Sequence, residues 1–328
     1  MYREFYGLVR APFEMTPDPS FLYLGDTHRE GLAMLHYAIE ARKGFVALTG
    51  EVGTGKTTLV HALLSQLKSS TPSAFIFNPR LEPLDFLQLL FHEFDIETEC
   101  RTKAEYLMAL NHFLIDCLSR DQIALLIIDE AQNLSLEMLE EVRLLSNLET
   151  PTSKLLQIML VGQPELNDML DRPELRQLRQ RIVLRHHLRP FARDELEQYV
   201  GERLRLAGYT GRGILGSSAH KELMAVTGGV PRLVNVVCDS ALLLGYSREL
   251  QQIDGAIIRE VASELRLVPT PESTAAPERR KRGRKAAKAA ASGDRTSGRP
   301  ADAPSEGTSS PATSKPPKRR FNWFGLFD

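Results

Sequence analysis

The sequence predicts an α/β fold: a doubly wound parallel sheet of five strands, a small all-helical lid domain after it, and a disordered C-terminal tail. Three observations carry that expectation. Five short apolar runs, Phe45–Thr49, Ala74–Asn78, Ile123–Ile128, Leu155–Val161 and Ile182–Leu188, are continuous rather than alternating, as strands covered on both faces are. Helical patterns lie between them, and strand–helix alternation makes a mostly parallel sheet. After Pro190 the strands stop and only helical patterns follow.

Taken in chain order, Thr27-His28-Arg29-Glu30 reads as a capping box that opens a helix to about Ala41. The first strand, from Phe45, runs into Gly50-Glu51-Val52-Gly53-Thr54-Gly55-Lys56-Thr57, and a helical pattern follows from Thr57 to Leu67. Thr102-Lys103-Ala104-Glu105 opens a further helix, to about Leu118. Another spans Ser135 to Leu148, with Leu136, Leu139, Val142, Leu145 and Leu148 on one face. In the C-terminal part, residues 194–207, 218–226, 231–246 and 254–266 read as helices. Gly228-Gly229-Val230 is a breaker, and Pro231 suits the first position of the helix it opens. From Pro269 the chain is rich in Pro, Ser, Ala, Gly and charge, with too little apolar surface to offset ordering entropy. The expected divisions are therefore 1–190, 191–268 and 269–328.

The glycine-rich octapeptide fits G-x-x-x-x-G-K-[ST], the phosphate loop of nucleoside triphosphatases, in the strand–loop–helix context that motif requires. Its glycines let the backbone wrap a phosphate with N–H groups pointing inward, and the new helix adds its positive end. Gly50 through Thr58 are the expected nucleotide contacts: Gly50, Glu51, Val52, Gly53, Thr54, Gly55, Lys56, Thr57 and Thr58. Lys56 should reach the β- and γ-phosphates, and Thr57 should hold a magnesium ion. The sheet is thus expected to be of the P-loop NTPase kind.

Leu125-Leu126-Ile127-Ile128-Asp129-Glu130 is an apolar strand ending in two carboxylates. Open α/β sheets bind ligands at the carboxyl ends of their strands. There Asp129 is placed to hold magnesium, directly or through water, and Glu130 to polarise the attacking water. His186-His187 has no partner at metal-ligand spacing and is expected to be structural or superficial, and no Ser/His/Asp arrangement stands out.

Composition excludes several classes. Apolar residues make up 42% and charged residues 25%, ordinary values for a globular protein. No apolar run approaches the roughly 20 residues that cross a bilayer. Met1–Phe5 has none of the features of a signal peptide, and Cys100, Cys117 and Cys238 lie far apart, as reduced cytoplasmic thiols do. The net charge of −1 conceals an asymmetry, −8 over residues 1–268 and +7 over 269–328.

Over about residues 1–268 the chain resembles AAA+ ATPases, and more narrowly the general secretion pathway protein A (ExeA-like) family. The resemblance rests on Tyr6-Gly7-Leu8, Pro12-Phe13 and Pro17-Asp18-Pro19, then on Gly50–Thr58 and Ile127-Ile128-Asp129-Glu130-Ala131-Gln132. Leu160-Val161-Gly162-Gln163-Pro164-Glu165-Leu166, Leu178-Arg179-Gln180-Arg181-Ile182 and Gly228-Gly229-Val230-Pro231-Arg232 continue it. It implies ATP and magnesium as ligands. It implies that Gln163 is the first sensor of the γ-phosphate and Arg232 the second, reaching from the lid. It also implies that Arg179 or Arg181 is an arginine finger offered to a neighbouring subunit, and that Phe5, Pro12 and Phe13 pack against the adenine.

The expected protein is therefore an ATP-hydrolysing homo-oligomer in the cytoplasm, peripheral at the inner face of the membrane, acting with a membrane-associated partner in secretion or envelope export. The basic run Arg279–Lys285 suits anionic lipid or nucleic acid. The end of the chain, Phe321–Asp328 behind Lys318-Arg319-Arg320, suits a membrane interface or a partner's groove. Two other readings compete: a transposition-type ATPase that binds DNA, and a scaffold that binds nucleotide without hydrolysing it.

Overall fold

The computed structural model describes residues 1–15, 21–67, 71–77, 81–211 and 213–267. The Pro17-Asp18-Pro19 segment, the basic run Arg279–Lys285 and the aromatic end Phe321–Asp328 lie outside the described residues.

Why the strands read as unbroken apolar runs is visible in how they pack. Among the described residues five parallel strands form the sheet: β1 (Phe45–Gly50), β2 (Ser73–Ile76), β3 (Ala124–Ile128), β4 (Leu156–Gly162) and β5 (Ile182–Leu188), in the order β2-β3-β4-β1-β5. Successive side chains point to opposite faces, and both faces are covered. Ala47, Leu126, Ile158 and Leu160 pack with Phe86 and Leu90 of α4 (Pro83–Glu93), Leu110 and Leu114 of α5 (Lys103–Ser119), and Leu139 and Val142 of α6 (Leu136–Leu145). Their sequence neighbours Val46, Leu48, Leu125, Ile127, Met159 and Val161 pack on the other side. Their partners there are Leu35 and Ile39 of α2 (Asp26–Glu40) and Leu59 and Leu63 of α3 (Lys56–Gln66). This is the doubly wound P-loop NTPase arrangement. Strand β1, flanked by β4 and β5, pairs Leu48 with Val161 of β4 and with His186 of β5, which carries the loop after Gly50 to an interior position on the sheet's carboxyl edge.

Helix boundaries follow local chemistry in most places. The Thr102 hydroxyl oxygen accepts from the Glu105 amide while the Glu105 carboxylate accepts from the Thr102 amide, a complete capping box at the start of α5. Ser135 caps α6 through the Met138 amide, and Pro231 opens α11 (Pro231–Ser247). The helix α4 has no separate counterpart among the segments read from the sequence.

One cap differs from expectation. α2 starts at Asp26 with Gly25 as its N-cap, two residues before the expected cap Thr27, and no side-chain cap bond is made there. The Thr27 hydroxyl instead lies 3.5 Å from the Arg189 carbonyl, and the Asp26 amide donates to Glu195 Oε1 at 2.6 Å. Glu195 belongs to α9 (Arg193–Leu206), so the cap is tertiary.

The remaining helices, α9, α10 (Ser217–Thr227), α11 and α12 (Gly255–Glu264), build their own core around Leu196, Leu223, Val234, Leu242 and Ile258. The chain start joins them: Tyr6, Leu8, Phe13 and Phe21 are buried in the same cluster. The first helix, α1 (Tyr2–Phe5), is fixed by Tyr2 Oη donating to Asp239 at 2.6 Å, and Phe5 meets Tyr246 edge-on at 5.5 Å. Two short helices complete the sheet side, α7 (Glu165–Leu170) and α8 (Arg176–Arg181).

Candidate functional site

The loop between β1 and α3 ends in an N-terminus without a side-chain cap: Gly55 occupies the N-cap position and makes no such bond. The first amides of a helix have no intrahelical acceptor. Those of Lys56, Thr57 and Thr58 therefore need an outside one, and an anion at the positive helix end supplies it. Backbone crowding explains the loop's composition. Gly53 has φ +82°, and a Cβ on it would lie 2.6 Å from the Arg232 Cβ. The Gly53 carbonyl accepts the Arg232 amide at 3.2 Å, so the first turn of α11 touches the loop directly.

Lys56 is 7% exposed, and its ammonium donates to the carbonyls of Gly50 at 2.8 Å and Glu51 at 3.0 Å. Burial pulls its pKa below the ordinary lysine value, while Glu130, Asp129, Glu51 and Glu165 pull the other way. A cation so placed gains by meeting an added anion. Thr54, fully buried, bonds through its hydroxyl to the Glu51 carbonyl at 2.8 Å.

The two carboxylates stand where the apolar strand ends. Asp129 accepts the Thr57 hydroxyl on Oδ2 at 3.0 Å and the Glu130 amide on Oδ1 at 2.9 Å. Glu130 adopts φ +52°, an uncommon conformation for a side-chain-bearing residue. Its Oε2 accepts Gln163 Nε2 at 3.0 Å and Gln132 Nε2 at 2.5 Å. Phosphate loop, both acids and Gln163 are thus one hydrogen-bonded group across the ends of β1, β3 and β4.

Beside that group opens a cavity of about 730 Å³. Val52–Thr58, Glu130 and Arg232 line one part, and Phe21, Tyr23, His28, Phe191, Tyr199, Arg203 and Asn235 line another. The second part is aromatic and ordered by its own bonds: Tyr199 Oη donates to Asn235 at 2.6 Å, and Arg203 Nη1 donates to Tyr199 Oη at 3.0 Å. A nucleoside triphosphate fits the sequence of surfaces, with an apolar polar-tipped chamber leading to an anion-seeking loop. The donor set of Thr57 hydroxyl and Asp129 carboxylate is hard oxygen, which suits magnesium.

Three expected contacts are not there. Phe5, Pro12 and Phe13 do not line the cavity. Phe13 is 1% exposed within the helical core, Phe5 packs on Tyr6 and Tyr246, and the Pro12 carbonyl accepts Arg203 Nε at 2.5 Å. They hold the chain start against the helices, and Phe21 and Tyr23 face the cavity instead. Arg179 and Arg181 are also away from this chain's own cavity. Arg179 is exposed, 3.5 Å from Asp171, whereas Arg181 is half-buried and donates to Ser146 Oγ at 2.5 Å. His186 and His187 are occupied by Thr27 O at 2.8 Å and Thr49 Oγ1 at 3.1 Å.

Sequence reasoning passed over His28 and Gln132. His28 is 4% exposed, and its Nε2 lies 2.9 Å from the Thr54 carbonyl, bracing the loop from α2. No local pattern signals a contact across 26 residues. Burial holds the His28 pKa below its ordinary 6.5, with the Thr54 bond opposing. The folded state therefore resists the proton. Its full contribution to stability is present above that ordinary value and is lost as pH falls below it toward the folded value, because the unfolded chain then binds more protons. The unfolding free energy of the wild type should accordingly drop more steeply between about pH 7 and 5 than that of His28→Gln. Equal slopes in urea titrations would remove His28 from this account.

Residues 39–170 match a family model described as an AAA domain. The general secretion pathway protein A of Aeromonas hydrophila is 42% identical over 267 residues, 81% of this chain and 48% of that protein. The Aeropyrum pernix ORC2 protein in its ADPNP–ADP complexes superposes with a TM-score of 0.56 at 17% identity, over 78% of this chain and 71% of that one. Drosophila ORC bound to DNA superposes with a TM-score of 0.60 at 16% identity, over 81% and 66%. The structural likeness carries the fold alone. Sheet order, phosphate loop and helical unit together define the AAA+ class of P-loop proteins. Within that class the chain's sequence likeness, 42% identity over 81% of its length, is to general secretion pathway protein A. The chain spans about half the length of that relative, so the longer protein's work as a whole is not transferred by the match. Among the described residues no helix is long and apolar enough to cross a membrane.

Proposed function

We propose that the chain binds ATP with magnesium and hydrolyses it to ADP and phosphate as a homo-oligomer. In this reading the nucleotide cycle moves a lid, 191–268, against a core, 1–190, for a membrane-associated partner in secretion or envelope export. The observation that supports hydrolysis best is the hydrogen-bonded group of Thr57, Asp129, Glu130 and Gln163 beside an uncapped helix end. A passive nucleotide holder has no use for a second carboxylate held by an amide there.

Thr57 and Asp129 would hold magnesium, which when bound neutralises charge on the β- and γ-phosphates. The loop amides and Lys56 grip the same phosphates, and Gln163 and Arg232 read the γ-phosphate. Glu130 takes a proton from water as the water oxygen bonds to the γ-phosphorus. The bond from that phosphorus to the β–γ bridging oxygen breaks, its electrons stay with ADP, and phosphate leaves. Phe21, Tyr23 and Phe191 would take the base. Arg179 or Arg181 would act on the γ-phosphate of a neighbouring copy, which fits their distance from their own cavity. The protein would be cytoplasmic, peripheral at the inner membrane face, with residues 269–328 docking it to an anionic membrane surface or a partner.

A second reading, DNA as the activator, is favoured by the basic run Arg279–Lys285 and by the DNA-bound state of the Drosophila neighbour. One assay addresses all of this. Phosphate release by the full chain is expected to require magnesium, to rise per chain with protein concentration, and to increase with anionic vesicles. Stimulation by DNA with steep salt dependence would favour the second reading instead. No phosphate release at any protein concentration, with or without either additive, would leave only a nucleotide-dependent scaffold.

A further inference from the structure

Gln132 sits two residues beyond Glu130, in a single 3-10 turn, Ala131–Asn133, that follows β3. Its amide is used at both ends. Oε1 accepts the backbone N–H of Gln163 at 3.0 Å, and Nε2 donates to Glu130 Oε2 at 2.5 Å. The first bond settles which way the amide faces, since only oxygen accepts from a backbone N–H. The nitrogen is thereby aimed at the carboxylate.

The fit leaves little slack. A Cβ on Gly162 would stand 2.7 Å from Gln132 Oε1 and 2.9 Å from Leu166 Cδ2, so the strand end leaves just the space that the amide and Leu166 fill. Gln163 Nε2 donates to the same carboxylate oxygen at 3.0 Å. Both amides converge on Oε2, leaving Oε1 as the oxygen that neither touches. Meanwhile φ of +52° turns Glu130 out of the strand direction. A carboxylate on a flexible side chain would otherwise sample several rotamers.

We propose that Gln132 is a positioning residue for hydrolysis. It locks the Glu130 carboxylate in one orientation and ties it to the main chain at the end of β4, so that Glu130 and Gln163 hold a fixed relation. The proposal rests on the reading of Glu130 as the base. Gln132 is not among the residues that line the cavity.

The test uses the full chain with Mg–ATP and three variants, Gln132→Met, Gly162→Ala and Glu130→Gln. Gln132→Met keeps length and loses the donor; Gly162→Ala leaves the amide chemically intact but presses on it and on Leu166. Both should lower kcat by about 100-fold, the scale of a misplaced reacting group. KM and the affinity for a non-hydrolysable ATP analogue should stay within about two-fold. In a Glu130→Gln background, Gln132→Met should have almost no further effect, because the group it orients is already gone.

Wild-type kcat in Gln132→Met, with Glu130→Gln inactive, overturns this proposal and leaves the base assignment standing. Full turnover in Glu130→Gln overturns both. Loss of analogue binding along with turnover in both Gln132→Met and Gly162→Ala would make Gln132 a scaffold residue, which also overturns it.

Discussion

Replacing Glu130 by Gln is expected to reduce ATP turnover by about 100- to 10,000-fold, the usual value of a positioned general base, while ATP binding survives. The amide keeps the size of the carboxylate and can still bond to Gln132 and Gln163 after a rotation, so the site should not collapse. What it loses is the capacity to accept a proton from water. The chain should therefore accumulate in its ATP-bound state, and, if assembly follows ATP, as a stable oligomer visible by size-exclusion chromatography with light scattering. Steady-state phosphate release at the wild-type rate would remove Glu130 from the chemistry.

The second large effect is expected at Lys56. Removing it in Lys56→Ala deletes the only ammonium that the loop wraps through the Gly50 and Glu51 carbonyls among the described residues. Two consequences oppose each other. The folded protein should not lose stability, since a buried ammonium whose pKa is pushed down by desolvation is itself a cost. Nucleotide affinity should fall by at least about 100-fold, because charge-assisted bonds to phosphate in a partly desolvated site are worth about 1.5–3 kcal/mol each. Calorimetric titration with Mg–ATP beside a urea titration separates the two. A variant that binds ATP normally would dismiss the phosphate-loop assignment, whereas one that has merely unfolded would show it in urea.

How much of this was legible in the chain depended on whether the cause was local. The three inner strands β1, β3 and β4 could be read because covering both faces makes nearly every position apolar, as Leu125 and Leu126 show by burying into opposite layers, whereas the edge strand β5 alternates and carries Arg185, His186 and His187. Thr102 and Ser135 announced their helices because each caps amides within three residues. Thr27 misled because the acceptor at that helix start comes from Glu195, 169 residues away from Asp26. The phosphate loop and the Asp129-Glu130 pair were visible since spacing along one strand–turn–helix encodes them. The aromatic chamber was not. Phe21, Phe191, Tyr199 and Asn235 come together only when the chain start and the C-terminal helices fold, and Phe5, Pro12 and Phe13, close by in sequence, were drawn into the helical core instead. Gln132 lay inside a segment already quoted, yet its role depends on the Gln163 amide 31 residues on.

The bond from the Arg232 amide to the Gly53 carbonyl has a mechanical consequence. α11 contains 17 residues, so it is a rod about 25 Å long pinned near one tip to the loop that wraps phosphate. Turning such a rod by about 10° around that tip sweeps its far end through about 4 Å. At the far end Tyr246 abuts Phe5, and Tyr6 Oη reaches the Leu250 carbonyl at 3.0 Å just past it. A small rearrangement around Gly53 would therefore be geared up into a larger excursion at the opposite surface, where the first residues of the chain pack on α11.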